Sequence, residues 1–208
     1  MNILDRIQWH EGMLLSPQHF QTESSRVDQL IAFHSMGRHC DAWGIKALEI
    51  DSAMLAGGKF RILTLEAFMP DGTALKWNGK LESSSLEINL EDLSDNVKNS
   101  ETIDIYIGLP LGTRKNKEGN FRFEEKVSDP VVDDFQDGEP IDIPRLTYNL
   151  KIFVNERPPG SYSSFKLCVL KNVDGVIKVG DYIPPLIDIG VSKFLKEELK
   201  HLSEELRS

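Results

Sequence analysis

Apolar side chains follow two different patterns near the start of the chain. The first fifteen residues contain many large apolar side chains at no sustained period, so no regular element is predicted there. Ser16-Pro17 is typical of an N-cap followed by the first residue of a helix. From Phe20 onward, residues that would share one helical face recur at spacings of seven, four and three, and Gly37 marks a stop. The spacing therefore predicts a helix over 16–38.

Between residues 43 and 190 the pattern changes to short runs in which apolar and polar residues alternate, as in half-buried strands. Gly, Pro and Asn separate the runs, and Pro70-Asp71-Gly72-Thr73 is typical of a tight hairpin turn. The predicted strands cover 45–50, 60–69, 74–77, 86–90, 103–109, 121–125, 147–154, 165–170 and 176–179. Pro184-Pro185 should end the sheet pairing.

The fold class that follows is mainly β. Short strands separated by turn residues favour an antiparallel β-sandwich over 43–190, and the alternation of strands and helices that builds a parallel sheet does not occur. An N-terminal helix precedes this sandwich and a C-terminal amphipathic helix follows it.

The last stretch, 191–208, has the pattern of an amphipathic helix. Its apolar positions are spaced four, four, three and four, with Lys and Glu between them, as on a helix–helix seam: Val191, Leu195, Leu199, Leu202 and Leu206. A solitary helix of this length is marginal in water, so the stripe needs a partner. That partner is either the chain's own sandwich or a helix of another protomer.

Composition narrows the class of partner. The 208 residues carry a net charge of −9, and an acidic surface repels nucleic-acid phosphates and anionic lipids. No apolar run approaches the roughly 20 residues needed to span a bilayer, and no secretory leader is recognisable, so we expect a cytoplasmic protein without membrane insertion. Cys40 and Cys168 are then expected to be free thiols, with Cys168 in the core.

Motifs for catalysis, metals and cofactors are incomplete. His10-Glu11 is not followed by the second His of a zinc protease, because Leu14 stands there. Gly57-Gly58-Lys59 lacks the flanking residues of a phosphate-binding loop, and the acidic stretch 133–144 lacks two ligands of a calcium loop. We therefore predict no catalytic, metal or cofactor-binding residue, and a protein that is not an enzyme.

Two stretches carry a resemblance to a known family. Trp9–Gln21 (WHEGMLLSPQHFQ) resembles the opening signature of the TssK family, also called ImpJ or VasE, a baseplate subunit of the type VI secretion system. Tyr182–Ile189 (YIPPLIDI) is similar to the family's segment where sandwich gives way to helices. Weaker matches lie between them in the expected order, at 42–45, 70–73, 105–111 and 145–150.

The resemblance implies a structural adapter. Residues 43–190 would be its shell domain, a sandwich similar to the shoulder of phage receptor-binding proteins, and 191–208 would begin its helical neck. The shell would dock onto the baseplate wedge of TssF, TssG and TssE. The full-length protein would be a homotrimer on the baseplate at the inner membrane, and would contact the membrane complex only through a head domain that 1–208 do not include.

The N-terminal arm, residues 1–15, is the candidate docking site, since it is too apolar to be a free tail. The expected wedge-binding residues are Trp9, Met13, Leu14, Leu15 and Phe20, and the expected oligomer contacts in the neck are Leu195, Leu199, Leu202 and Leu206. Packing of the arm on its own sandwich or on a neighbouring protomer is the alternative reading.

A second function is also open. A β-sandwich could bind a ligand such as a carbohydrate, and three aromatic residues lie near acidic ones in the irregular stretch: Phe121, Phe123 and Phe135.

Overall fold

Two four-stranded antiparallel sheets form the body of the chain in a computed structural model that describes residues 3–38, 42–80, 85–93, 100–112, 115–133, 135, 138–173 and 175–205. The first sheet contains β1 (Gly44–Ile50), β2 (Lys59–Phe68), β3 (Ala74–Asn78) and β4 (Glu87–Asn89). A smaller two-stranded sheet consists of β6 (Phe123–Lys126) and β7 (Arg145–Tyr148). The second four-stranded sheet, in the order β10-β9-β5-β8, contains β5 (Thr102–Pro110), β8 (Lys151–Val154), β9 (Tyr162–Val173) and β10 (Val176–Val179).

Helices flank this body at both ends. Helix α1 spans Pro17–Arg38, the short helix α2 spans Ser52–Ala56, and helix α3 spans Lys193–Glu205. Within the described residues no helix is both long and apolar enough to cross a membrane.

Alternating side chains of the two large sheets meet in one core. Phe60, Ile62 and Leu65 of β2 are fully buried, as are Ile105 and Ile107 of β5, and all belong to a single hydrophobic cluster. Each side chain of this size contributes roughly 1.5–3 kcal/mol when it leaves water. The prediction of a mainly β antiparallel sandwich with a helix at each end is confirmed.

The β2–β3 hairpin forms where the sequence predicts it. The backbone N–H of Met69 donates to the carbonyl of Thr73 at 2.9 Å, and Phe68 pairs with Ala74. Gly72 has φ +83°, a conformation that residues with a Cβ rarely adopt. This turn is also where the N-terminal helix meets the sandwich, as described below.

The single strand predicted over 147–154 is wrong, because the chain bends within it. Strand β7 pairs with β6, whereas β8 pairs with β5 in another sheet. Asn149 makes the break: its backbone N–H donates to the carbonyl of Arg122 at 2.9 Å, and its side-chain amide donates to that of Phe121 at 3.0 Å. Local alternation cannot reveal such a bend, since the residues before and after it are both extended.

Two expectations about the C-terminal segment also change. Sheet pairing does not end at Pro184-Pro185, because Leu186 forms a parallel bridge with Ile45. The helix begins at Lys193 instead of 191, after a single 3-10 turn over Ile189–Val191. Val191 packs half-buried against the core cluster, so it belongs to the sandwich and not to the helical stripe. Leu206, like Cys40, lies outside the described residues.

Candidate protein-interaction surface

The N-terminal arm lies along α1. The backbone N–H of Leu4 donates to the side-chain Oε1 of Gln29 at 2.8 Å, and the rings of Trp9 and His19 lie 5.9 Å apart. The Ser16 backbone N–H donates to Nδ1 of His19 at 3.0 Å, which fixes the turn between arm and helix. These contacts connect the described part of the arm to the helix over most of its length.

Helix α1 touches the sandwich over a small area. Among its described side chains only Ala32 is buried, and Ala32 faces Gly72 in the β2–β3 turn. A cavity of about 450 Å³ opens beside this contact, between α1, the turn and the start of β6. Many side chains of the helix therefore remain exposed.

Large apolar side chains are exposed along both segments. Leu14 is 88% exposed, and Trp9, Leu15 and Phe20 are each at least half exposed. Val27, Ile31 and Phe33 of α1 are exposed as well. We call these seven residues the arm–helix surface. An apolar surface of this kind, rich in aromatic and aliphatic side chains, is typical of protein–protein contacts.

Four of the five predicted docking residues are thus exposed in the structure, while Met13 is half-buried. That they bind a partner stays a prediction. Sequence reasoning did not include Val27, Ile31 and Phe33 among the expected docking residues. The signal was present in the sequence, because apolar residues occur on more than one side of α1 and a single stripe cannot bury them all.

A second apolar stripe runs along α3. Leu199 and Leu202 are about half exposed, Phe194 is partly exposed, and Leu195 is half-buried. The Ser192 side chain caps the helix by accepting from the backbone N–H of Leu195 at 3.2 Å. The stripe residues that lie farthest along α3 therefore point away from the core of this chain, and their role in an oligomer stays a prediction.

Arg122 is a largely buried cation near α1 that makes several contacts. Its guanidinium donates to the carbonyl of Pro110 at 2.8 Å, to Oδ2 of Asp71 at 3.0 Å and to the Thr73 hydroxyl. It also lies over the ring of Tyr148, with 5.7 Å between Cζ and the ring centroid. Burial raises the pKa of Tyr148, and the nearby carboxylate of Asp28 raises it further. These contacts are those of a structural clamp.

The described cysteine, Cys168, is buried in the core. Burial raises the pKa of the Cys168 thiol to about 12, so it stays protonated and is a poor nucleophile. Across the part of the chain that the structure describes, no three His, Cys, Asp or Glu side chains converge as metal ligands would.

The aromatic residues of the alternative, ligand-binding reading do not form one platform. Phe123 stacks on Tyr148, Phe121 lies under the ammonium of Lys115, and Phe135 is 97% exposed. An apolar cleft of about 680 Å³ does exist elsewhere, between β1, β10 and the start of α3.

Comparison with protein-family models gives one match that covers most of the chain. The model of the family described as Bacterial Type VI secretion, EvfL, ImpJ, VasE matches residues 19–208. A curated relative, the type VI secretion system baseplate component TssK1 of Pseudomonas aeruginosa, is 29% identical over 214 residues. That alignment covers 95% of this chain and 46% of the relative, so the chain spans about half the relative's length.

Solved structures share the fold. A chain in the TssK-TssF-TssG baseplate subcomplex of the type VI secretion system superposes with TM-score 0.80 at 23% identity, covering all of this chain and 70% of that one. A chain of the type VI secretion baseplate complex gives 0.78 at 24% identity, with 100% and 67% covered. The crystal structure of TssK gives 0.78 at 17% identity, with 95% and 46% covered.

Proposed function

Because this chain belongs to the bacterial type VI secretion family that includes ImpJ and VasE, we propose that it is a structural adapter of the secretion baseplate. In this role its sandwich is a shell domain that docks onto the wedge formed by TssF and TssG, together with TssE. The protein acts on the baseplate at the inner membrane and has no enzymatic role.

The observation that carries the proposal is the arm–helix surface. The apolar side chains of Leu14 and its neighbours stay exposed to water unless a partner covers them. Each side chain of this type that a partner buries contributes roughly 1.5–3 kcal/mol to association. TssF and TssG are the partners to test first, because the similar chain in one solved structure is part of a TssK-TssF-TssG subcomplex.

The α3 stripe supports a second part of the proposal, a homotrimer in the full-length protein. Leu199 and Leu202 are exposed on a helix that would continue as a neck, where copies of the same stripe can pack together. Contacts with the membrane complex would then be made by a head domain beyond these residues.

A pulldown tests the proposal. The chain is immobilised and offered purified TssF–TssG from the same secretion system, and in parallel its retention on a panel of immobilised sugars is measured. Capture of TssF–TssG without sugar retention is the expected result. Sugar retention without capture of TssF–TssG would support the alternative of a ligand-binding sandwich, which the 680 Å³ cleft favours.

A further inference from the structure

The contact between α1 and the sandwich depends on a glycine. A Cβ placed on Gly72 would lie 2.6 Å from the Cβ of Ala32 and 3.2 Å from Cγ of Met36, closer than packed atoms can approach without displacement. Any side chain at position 72 would therefore push the helix outward. We call the contact of Ala32 and Met36 with Gly72 the seat of α1.

The turn that forms this seat is held from several directions. The Asp71 carboxylate accepts from the Thr73 backbone N–H at 3.1 Å, and the Asp71 backbone N–H donates to the Ser163 hydroxyl at 3.2 Å. Arg122 completes the set by bonding Asp71, Thr73 and the carbonyl of Pro110 at the end of β5. The turn is thereby fixed to both large sheets.

Arg122 is the side chain that links the turn to β5. Its side chain is only 13% exposed, and a charged hydrogen bond that is shielded from water is stronger and more directional than one at the surface. Removing the guanidinium would leave the Asp71 carboxylate partly buried without its cation. The turn would then be free to move relative to β5, and the seat with it.

Because the seat is a small contact, α1 can rotate about it. The cavity beside the seat lies between α1 and Tyr148 with the start of β6, so the helix is not packed against the sandwich at that point. A small rotation at Ala32 therefore moves the far end of the helix, where Phe20 and the arm lie, by several times as much.

We propose that the seat sets the direction in which the arm–helix surface is presented, and that Arg122 is a positioning residue for docking. This inference rests on the proposed function, since it assigns a role in docking to residues that the partner does not touch. A surface held in one orientation binds its partner more tightly than the same surface on a helix that samples many orientations, because less orientational freedom is lost on binding.

Glycine substitutions provide a matched pair of variants. Gly72→Ala places a methyl group against Ala32, whereas Gly175→Ala, at the same φ of +83°, meets open space. Both strain the backbone alike, so a difference between them reports the contact with α1. Arg122→Gln removes the guanidinium that links the turn to β5, and Arg122→Lys retains the positive charge. The control is Arg61→Gln, which removes a partly exposed arginine that pairs with Glu87.

The first readout is the orientation of α1 in the free chain. Spin labels on Gln21→Cys and Lys76→Cys report the distance between α1 and β3 in a Cys40→Ser background, where the buried Cys168 does not react. We expect the distance distribution to shift or broaden in Gly72→Ala and Arg122→Gln, and to stay as in the parent in both controls. An unchanged distance distribution in these two variants would contradict the claim that the seat sets the orientation of α1.

The second readout is the affinity of the chain for purified TssF–TssG. We expect Kd to rise about tenfold in Gly72→Ala and Arg122→Gln, partial recovery in Arg122→Lys, and the parent value in the controls. Altered distances with unaltered Kd would overturn the positioning role while leaving the proposed docking intact. If the parent itself does not bind, the proposed function and the positioning role both fail, and the label distances still decide whether the seat exists.

Discussion

Ile45 in β1 and Leu186 after β10 are joined by a parallel bridge at the edge of the first sheet. The backbone N–H of Ile45 donates to the carbonyl of Pro185 at 2.8 Å, and the Ile45 carbonyl accepts from Ile187 at 2.9 Å. The bridge pairs Leu186 with the start of β1 and brings the end of the sandwich back to its first strand. It also fixes the point from which α3 leaves the domain.

Gly44 makes this close approach possible, and its replacement is the first prediction. Its φ is +139°, and a Cβ there would lie 2.7 Å from the backbone of Pro185. We expect Gly44→Ala to lower the free energy of unfolding by about 1–3 kcal/mol, measured by urea denaturation. Gly37→Ala, where a Cβ meets open space, is the control. Equal midpoints for the two variants would show that the bridge does not hold the native edge.

The same bridge shows where sequence reasoning succeeds and where it fails. Strand alternation predicted the main β elements because burial on one face imposes a period of two on residues such as Ile103, Ile105 and Ile107. Pairing of Ile45 with Leu186 has no such signature, since the partners are far apart in the sequence and each makes a single bridge. Pro184 and Pro185 indicated the end of pairing because proline has no backbone N–H to donate. The carbonyl of Pro185 can still accept a hydrogen bond, and it accepts one from Ile45.

The candidate site was predictable in part. The arm stood out because its apolar residues had no periodic element in which to be buried, and the structure leaves Leu14 and Leu15 exposed. The seat could not have been found, because the sequence marked Gly72 only as a turn residue and nothing in the pattern around Ala32 connects the two. Their importance arises only when the helix and the turn meet.

An ion pair on the first sheet gives a pH-dependent prediction. Lys59 Nζ lies 2.6 Å from the Glu87 carboxylate and lowers its pKa below 4.5, the ordinary value for Glu. A carboxyl whose pKa falls on folding stabilises the native state above its unfolded pKa, and this stabilisation is lost as pH falls through the folded pKa. Urea denaturation from neutral pH down to about pH 3 should show Glu87→Gln less stable than the parent, with the gap closing in acid. The exposed Glu101→Gln should show a smaller gap, and a Glu87→Gln gap that does not change with pH would contradict the prediction.

The buried thiol offers a check on the core. In a Cys40→Ser variant Cys168 is the remaining cysteine, and its burial raises its pKa to about 12. We expect a thiol reagent to label the folded chain far more slowly than the urea-unfolded chain, since both access and the thiolate are suppressed. Similar rates in the two states would mean that Cys168 is not in the core.

Self-association should depend on α3. We expect the sedimentation coefficient of the parent to rise with concentration, and deletion of 193–208 or Leu199→Glu to abolish the rise, because a charge cannot be buried in a helix–helix seam. His201→Glu adds a negative charge at a neighbouring exposed position and should leave association intact. A parent that is monomeric at every concentration would exclude the stripe as a contact in this chain, and association that survives the deletion would assign it to the sandwich.

The central claim is that the arm–helix surface docks onto the wedge, and a calorimetric titration of purified TssF–TssG into the chain tests it most directly. Trp9→Ala and Leu14→Asp should each weaken binding by about 2 kcal/mol or more while the melting temperature stays within error of the parent, because these side chains are exposed in the free chain. Val127→Asp, at an equally exposed apolar position outside this surface, should bind as the parent does. Parent-like affinity in the Trp9 and Leu14 variants, or an equal loss in Val127→Asp, would contradict the account.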